Sequence, residues 1–397
     1  MDKHTFSNDT EILYKGSEII GENLRPESPP IYMSTAYIME DLEELHNTTD
    51  AGGYTYNRTK NPNRDSIAEL ISYLENGEKT IIFSSGMAAI STSLLSFLNC
   101  GDHVLANSAL YGETIDFMNN YLSHYGIEAT YVDFTNIEAV KKAIRPNTKI
   151  LYTEIIANPL TVVVDIDAIS NAAHEAGAMV IVDSTFTTPY VIKPLDHGAD
   201  LVVHSLTKYF GGHSDVTAGS LTGNTNLVDK AYSFQHLLGS CSDANSSWLL
   251  LRSARTMGLR VKKQLENAQK LAAALEKNPH VSKVNHPSLA VHPQHELAEK
   301  LFLKGYGAML SFSVEDNRDK LNLFMRKLKY VSYLPTLGGF RTSLSHPVSS
   351  SHADVPEPVR LKMGIHEGLM RVSVGIEDID DLIYDFDQAL EVFDKVR

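Results

Sequence analysis

Between residues 64 and 222, short apolar runs alternate with stretches of helical periodicity, and no other feature narrows the fold as far. The runs are TIIF (80–83), HVLA (103–106), ATYV (129–132), ILYTEII (150–156), MVIVD (179–183) and LVVHS (201–205). Helical patterns such as 86–98 and 166–177 separate most of them. Near-continuous apolar strands linked by crossover helices build a parallel sheet covered on both faces, because such strands have no wet side to alternate towards. Upstream, Ile67, Leu70, Ile71 and Leu74 recur at helical spacing, with Gly77 as the stop signal. The pattern is α/β and excludes an all-β or all-helical chain.

After Trp248 the texture changes to one long helical stretch (248–277), then strands (309–314, 369–375) mixed with helices (321–328, 380–393). That is a smaller α+β unit. The first 60 or so residues, with Pro26, Pro29, Pro30 and a Gly52-Gly53 turn, cannot make a core of their own. They are expected to drape over the main body or over a partner subunit. The 397 residues therefore divide into an arm (1–60), an α/β domain (61–250) and a C-terminal α+β domain (251–397).

The balance of 35 basic and 49 acidic residues gives a formal charge of −14, which repels phosphate backbones and excludes nucleic acid as the main partner. A small anion needs only a local cationic or N–H-lined site. Two cysteines, Cys100 and Cys241, exclude a disulfide scaffold or a cysteine-built zinc site, and Cys100 reads as buried behind an apolar helix. No run of about 18 apolar residues is present and the first residues lack a signal-type apolar core, so the expectation is a cytoplasmic chain without membrane contact.

Three local features carry chemistry. Lys208, in VVHSLTKYFGGHSD (202–215), follows an apolar strand at the sheet edge where α/β proteins place ligands. Flanked by the Ser205 and Thr207 hydroxyls, it could hold a carbonyl cofactor as a Schiff base, or be an ordinary surface lysine. Asp183 ends MVIVD at the same edge; it either caps the following turn through Ser184 or Thr185, or partners a protonated pyridine nitrogen. In FSSGMAA (83–89) a strand stops at a glycine and opens a helix, leaving the Gly86 and Met87 N–H groups at a natural phosphate site or at a plain helix start. Neither a dinucleotide fingerprint nor a P-loop pattern occurs. His204, His213 and Asp215 have no recognised metal-ligand spacing, and Arg260, Lys262 and Lys263 read as a solvated basic face.

Taken together, PPIYMSTAY (29–37), YNRTKNPN (56–63), FSSGMAAI (83–90), ANPL (157–160), VDSTFTTPY (182–190), HSLTKYFGGHSDVTAG (204–219) and RVSVGIED (371–378) resemble the Cys/Met-metabolism family of pyridoxal-phosphate enzymes. The resemblance implies a fold-type I transferase with a mostly parallel seven-stranded sheet, helices on both faces and a smaller C-terminal domain. It implies pyridoxal 5′-phosphate as cofactor, bound covalently by Lys208, with Asp183 on the ring nitrogen and Gly86, Met87, Ser205 and Thr207 on the phosphate. Tyr111 would stack on the ring and assist the leaving group, while Asn158 and Arg371 would orient the substrate, since a guanidinium fork binds both oxygens of a carboxylate. Tyr56 and Arg58 would complete the phosphate site of a neighbouring subunit, making a dimer the minimal unit and a tetramer the expected assembly. The implied reaction is γ-elimination on cystathionine- or methionine-like amino acids, with γ-replacement on an activated homoserine as the alternative.

Two substrate-side positions depart from that pattern. Glu113 stands where methionine γ-lyases typically carry cysteine, and Arg341 stands where cystathionine-processing members commonly have glutamate. Either Arg341 favours a different, anionic end group, or it pairs with an acid such as Glu113. Ser349, Ser350 and Ser351 lie in a loop matching a substrate-side region and receive no role.

Overall fold

The computed structural model describes residues 7–16, 26–353 and 355–394; parts of the expected arm lie outside the described residues. The strands in chain order are β1 (Lys79–Phe83), β2 (His103–Asn107), β3 (Glu128–Val132), β4 (Thr148–Glu154), β5 (Ile156–Ala157), β6 (Val162–Val163), β7 (Met179–Asp183), β8 (Leu201–Ser205) and β9 (Gly219–Gly223). Leaving out the two-residue ribbon β5–β6, they form a seven-stranded sheet in the order β1-β9-β8-β7-β4-β2-β3. The pairs β8–β7, β7–β4, β4–β2 and β2–β3 are parallel, and β9 alone runs against its two neighbours. The apolar runs are buried as their unbroken hydrophobicity requires: Val180, Ile181 and Val182 are fully enclosed between the two helix layers.

A second sheet, β10 (Lys283–Asn285), β11 (Met309–Ser313), β12 (Ser332–Tyr333), β13 (Ser343–Ser345) and β14 (Leu369–Ser373), has the order β10-β11-β14-β13-β12. Its core gathers Phe312, Phe324 and Phe386 in edge-to-face contacts. Among the described residues no helix is long and apolar enough to cross a membrane.

Several local expectations change. The long helix is two, Ala244–Ala254 and Met257–Lys277, separated at Arg255-Thr256. Arg260 is the reason the break is tolerated. Its guanidinium is buried and donates to the Ser253 carbonyl at 3.0 Å and the Tyr209 carbonyl at 2.8 Å. It does not share a solvated face with Lys263, and Lys262 pairs with Asp9. The Met257 helix packs Val261 and Leu265 against the first domain and Leu271 and Leu275 against the second sheet. The helix Pro62–Glu75 ends on Asn76, which takes the left-handed conformation (φ 56°), rather than on Gly77. The N-terminal segment is less irregular than it reads, holding the helices Asn8–Tyr14 and Leu42–Asp50. Cys100 is exposed, not buried.

Candidate active site

The parallel strands β4, β7 and β8 end at one edge of the sheet, which brings Glu154, Asp183 and Ser205 to the floor of a cavity of about 550 Å³. Glu154 and Asp183 are register partners, so their side chains leave the sheet on the same face. Lys208 sits on the turn after β8, its N–H donating to the Ser205 carbonyl at 3.2 Å. The helix Gly86–Leu95 starts at the same edge, capped by Ser85, whose hydroxyl accepts the Ala88 N–H at 3.0 Å. That leaves the Gly86 and Met87 N–H groups, ahead of the intrahelical ladder, on the cavity wall. Gly86 is required there by contact: a Cβ would stand 2.8 Å from the Ser205 Cβ.

The second domain closes the other side. Arg371, from β14, is 7% exposed; it donates to Asn158 Oδ1 at 3.0 Å, and its Nε has no hydrogen-bond partner among the described residues. The cavity therefore brings together Gly86, Met87, Tyr111, Asn158, Asp183 and Ser205, and with them Thr207, Lys208, Arg371 and Glu113. Tyr56, Arg58 and Arg341 do not line it. Arg58 donates to the His236 carbonyl at 2.6 Å, and Tyr56 is half exposed. Arg341 lies over the ring of Phe340, 5.1 Å from its centroid, and makes no ion pair with Glu113 among the described residues. His204 is buried against Glu75 at 2.6 Å.

The electrostatics are those of an unfinished site. Burial pushes the Asp183 carboxyl up, and only the Thr185 N–H at 3.0 Å, the Thr185 hydroxyl and the charge of His204 act against it. Glu154 is also pushed up by burial and by the charge of Asp183, although it accepts the Tyr111 N–H at 2.6 Å. Burial and the neighbouring Arg371 lower the Lys208 ammonium, with Glu113 opposing. The Tyr111 phenol is pushed up to about 12, by burial first and then by the charge and side-chain hydrogen bond of Glu113. A buried carboxylate with so little compensation calls for a cationic partner. A protonated pyridine supplies one, and unpaired N–H groups at a helix start supply a phosphate seat. The residues fit pyridoxal 5′-phosphate.

Glu154, Asp116, Ser350 and Ser351 also line the cavity without having been singled out as site residues in the sequence. Glu154 left a signal, a lone acid inside the apolar run ILYTEII. Asp116 left none beyond its helical spacing from Glu113.

Residues 9–391 match the family described as Cys/Met metabolism PLP-dependent enzyme. The cystathionine gamma-lyase of Bacillus subtilis (strain 168) is 43% identical over 340 residues, covering 85% of this chain and 89% of that one. The L-methionine gamma-lyase of Fusobacterium nucleatum subsp. polymorphum is 38% identical over 367 residues, covering 91% and 93%. Among solved structures, the cystathionine gamma synthase of Xanthomonas oryzae pv. oryzae, in complex with aminoacrylate and cysteine, superimposes with a TM-score of 0.93 at 32% identity, covering 98% and 99%.

Proposed function

The chain belongs to the Cys/Met-metabolism PLP-dependent enzymes, and from that premise we propose that it cleaves the Cγ–S bond of cystathionine- or methionine-like L-amino acids. Water enters and a thiol, a 2-oxo acid and ammonium leave, which balances for any thioether of homocysteine. The observation that carries this reading is the buried Arg371 Nε, without a partner among the described residues, in the same cavity as Lys208 and Tyr111. Names of relatives support a lyase, and the superimposed synthase keeps γ-replacement on an activated homoserine as the second reading.

Asp183 would hold the cofactor's ring nitrogen, Gly86, Met87, Ser205 and Thr207 its phosphate, Tyr111 the face of its ring and Lys208 its carbonyl carbon. When bound, pyridoxal phosphate supplies an electron sink for negative charge developing at the substrate's α-carbon. Arg371 and Asn158 receive the α-carboxylate and fix Cα beside Lys208. With its pKa lowered, the Lys208 Nζ takes the proton from Cα and moves protons at Cβ and Cγ. Tyr111, whose phenol stays protonated at ordinary pH, donates Oη–H to the departing sulfur.

Tyr56 and Arg58 would serve the phosphate site of a second copy. The arm that carries them exposes Met33, Ile38 and Leu42, with Ile38 97% accessible, an apolar surface that a partner would cover. A dimer is then the minimal active unit, a tetramer of two dimers the full assembly and the cytoplasm its place. The domain division is arm 1–60, cofactor domain 61–250 and C-terminal domain 251–397. The test is a substrate panel on the loaded enzyme, scoring 2-oxo acid, ammonium and thiol. Oxo acid from unactivated thioethers supports the lyase; product only from an acylated homoserine plus a thiol overturns it.

A further inference from the structure

We propose that Glu113 and Asp116 set the distal preference of this enzyme, favouring L-amino-acid thioethers whose far end carries an ammonium over neutral or anionic ones. The inference rests on the elimination reading above and names its substrate class. Glu113 and Asp116 stand one turn apart on the helix Gly112–Asn120, hence on one face, and both line the cavity.

The rest of the cavity fixes which end of a substrate they meet. Arg371, buried and with its Nε unpartnered, takes the α-carboxylate, and Lys208 must lie within reach of the α-carbon. Asp183 and Glu154 lie on the floor at the strand ends, turned toward the cofactor's place. The charged side chains left on the described wall for the far end are Glu113 and Asp116, accompanied by Ser350, Ser351, Pro335 and Leu337. Two carboxylates and no cation attract an ammonium and repel a carboxylate. Glu113 opposes the lowering of the Lys208 ammonium and hydrogen-bonds the Tyr111 phenol, so its charge acts inside the cavity, beside the group that meets the departing sulfur. Arg341, which would have favoured an anion, lies over Phe340 and off the wall. Both acids are solvent-accessible at the mouth, so the expected discrimination is modest, about tenfold rather than thousands.

Two measurements on the holoenzyme test this. By calorimetry, L-lysine is expected to bind about tenfold tighter than L-norleucine, with L-2-aminoadipate weakest; these have no γ-leaving group, so binding is read without turnover. By turnover, S-(2-aminoethyl)-L-homocysteine is expected to exceed S-ethyl-L-homocysteine about tenfold in kcat/KM, and S-carboxymethyl-L-homocysteine to be poorest. The double variant Glu113→Gln, Asp116→Asn should bring both ratios to about one. Norleucine binding as tightly as lysine, or a lysine preference that survives the double variant, would overturn the proposal. If no thioether yields 2-oxo acid while the lysine preference holds and vanishes in the double variant, the acidic wall stands and the elimination reading falls.

Discussion

Asp183 and Asp385 are both buried aspartates, and the chain treats them in opposite ways. Asp385, in the C-terminal domain, accepts the N–H groups of Lys329 at 2.8 Å, Tyr330 at 3.0 Å and Val331 at 3.3 Å, with the Gln388 amide at 3.1 Å. Asp183 has one backbone N–H and the neighbouring threonine hydroxyl. The buried arginines repeat the contrast. Arg260 donates to three backbone carbonyls and to the Thr256 hydroxyl, whereas Arg371 leaves its Nε unpaired among the described residues. A buried charge satisfied by its own chain is a fastener, and one left short marks where a ligand completes the structure.

The two arginines give the largest expected effects. Arg371→Met should lower kcat/KM by about 10²- to 10³-fold, the cost of losing a buried carboxylate partner. Its unfolding free energy should stay level or rise, because an incompletely paired charge is replaced by an apolar chain. Arg260→Met should do the reverse: about 3 kcal/mol lost in urea unfolding as buried carbonyls lose their donor, with KM of the folded fraction little changed. A stability loss in Arg371→Met as large as in Arg260→Met would erase the distinction.

The aspartates repeat it on a smaller scale. Asp385→Asn is expected to cost about 2–3 kcal/mol, since charge-assisted bonds weaken and the new amide hydrogens face backbone donors. Asp183→Asn should leave the cofactor-stripped protein at least as stable as wild type at neutral pH, and weaken cofactor affinity at least about tenfold. Equilibrium unfolding and a cofactor titration followed by visible absorbance separate the two.

The legibility of the molecule divides along similar lines. The α/β alternation and the strand-end positions of Lys208, Asp183 and the Gly86 helix start were readable because strand hydrophobicity and turn residues act over a few positions, while what those residues do was legible only through the family resemblance. Strand β9, GSLTG, was not among the strands read from residue pattern, although all five of its residues are buried. Its composition answers to close approach rather than to strand propensity: a Cβ on Gly219 would overlap the Ser85 carbonyl oxygen and stand 3.0 Å from the Gly86 Cα. Arg260 and Glu154 were illegible in role for a related reason, because partners 50 or so residues away in sequence decide whether a charge is solvated or buried. Gly219→Ala tests the point. It should cost about 1–2 kcal/mol, since backbone must shift, and it should weaken phosphate binding measurably because the moved segment is the Gly86 helix start.

The last effect is a slope with pH, and there an exposed capping acid and the buried acids of the cavity take opposite signs. Asp243 caps the helix Ala244–Ala254; partial burial alone would raise its carboxyl, but the Ser246 hydroxyl and N–H, together with the Asn245 N–H and its own, more than reverse this and hold it low. Its folded pKa lies below the unfolded one, so its stabilisation is present above the ordinary carboxylate range and is lost as pH falls through the folded value. Asp183 and Glu154 are raised by burial, so between pH of about 4 and their folded values the native chain binds more protons than the unfolded one. Stability of the cofactor-stripped protein should therefore decline as pH rises from about 4 towards neutrality, by at most about 1.4 kcal/mol per unit for each extra proton held. Glu154→Gln should flatten that decline and leave the acid-side loss from Asp243 in place. Urea midpoints measured at half-unit intervals from pH 4 to 8 decide it: an unchanged slope in Glu154→Gln would mean that Glu154 holds no excess proton and is a fastener like Asp385 after all.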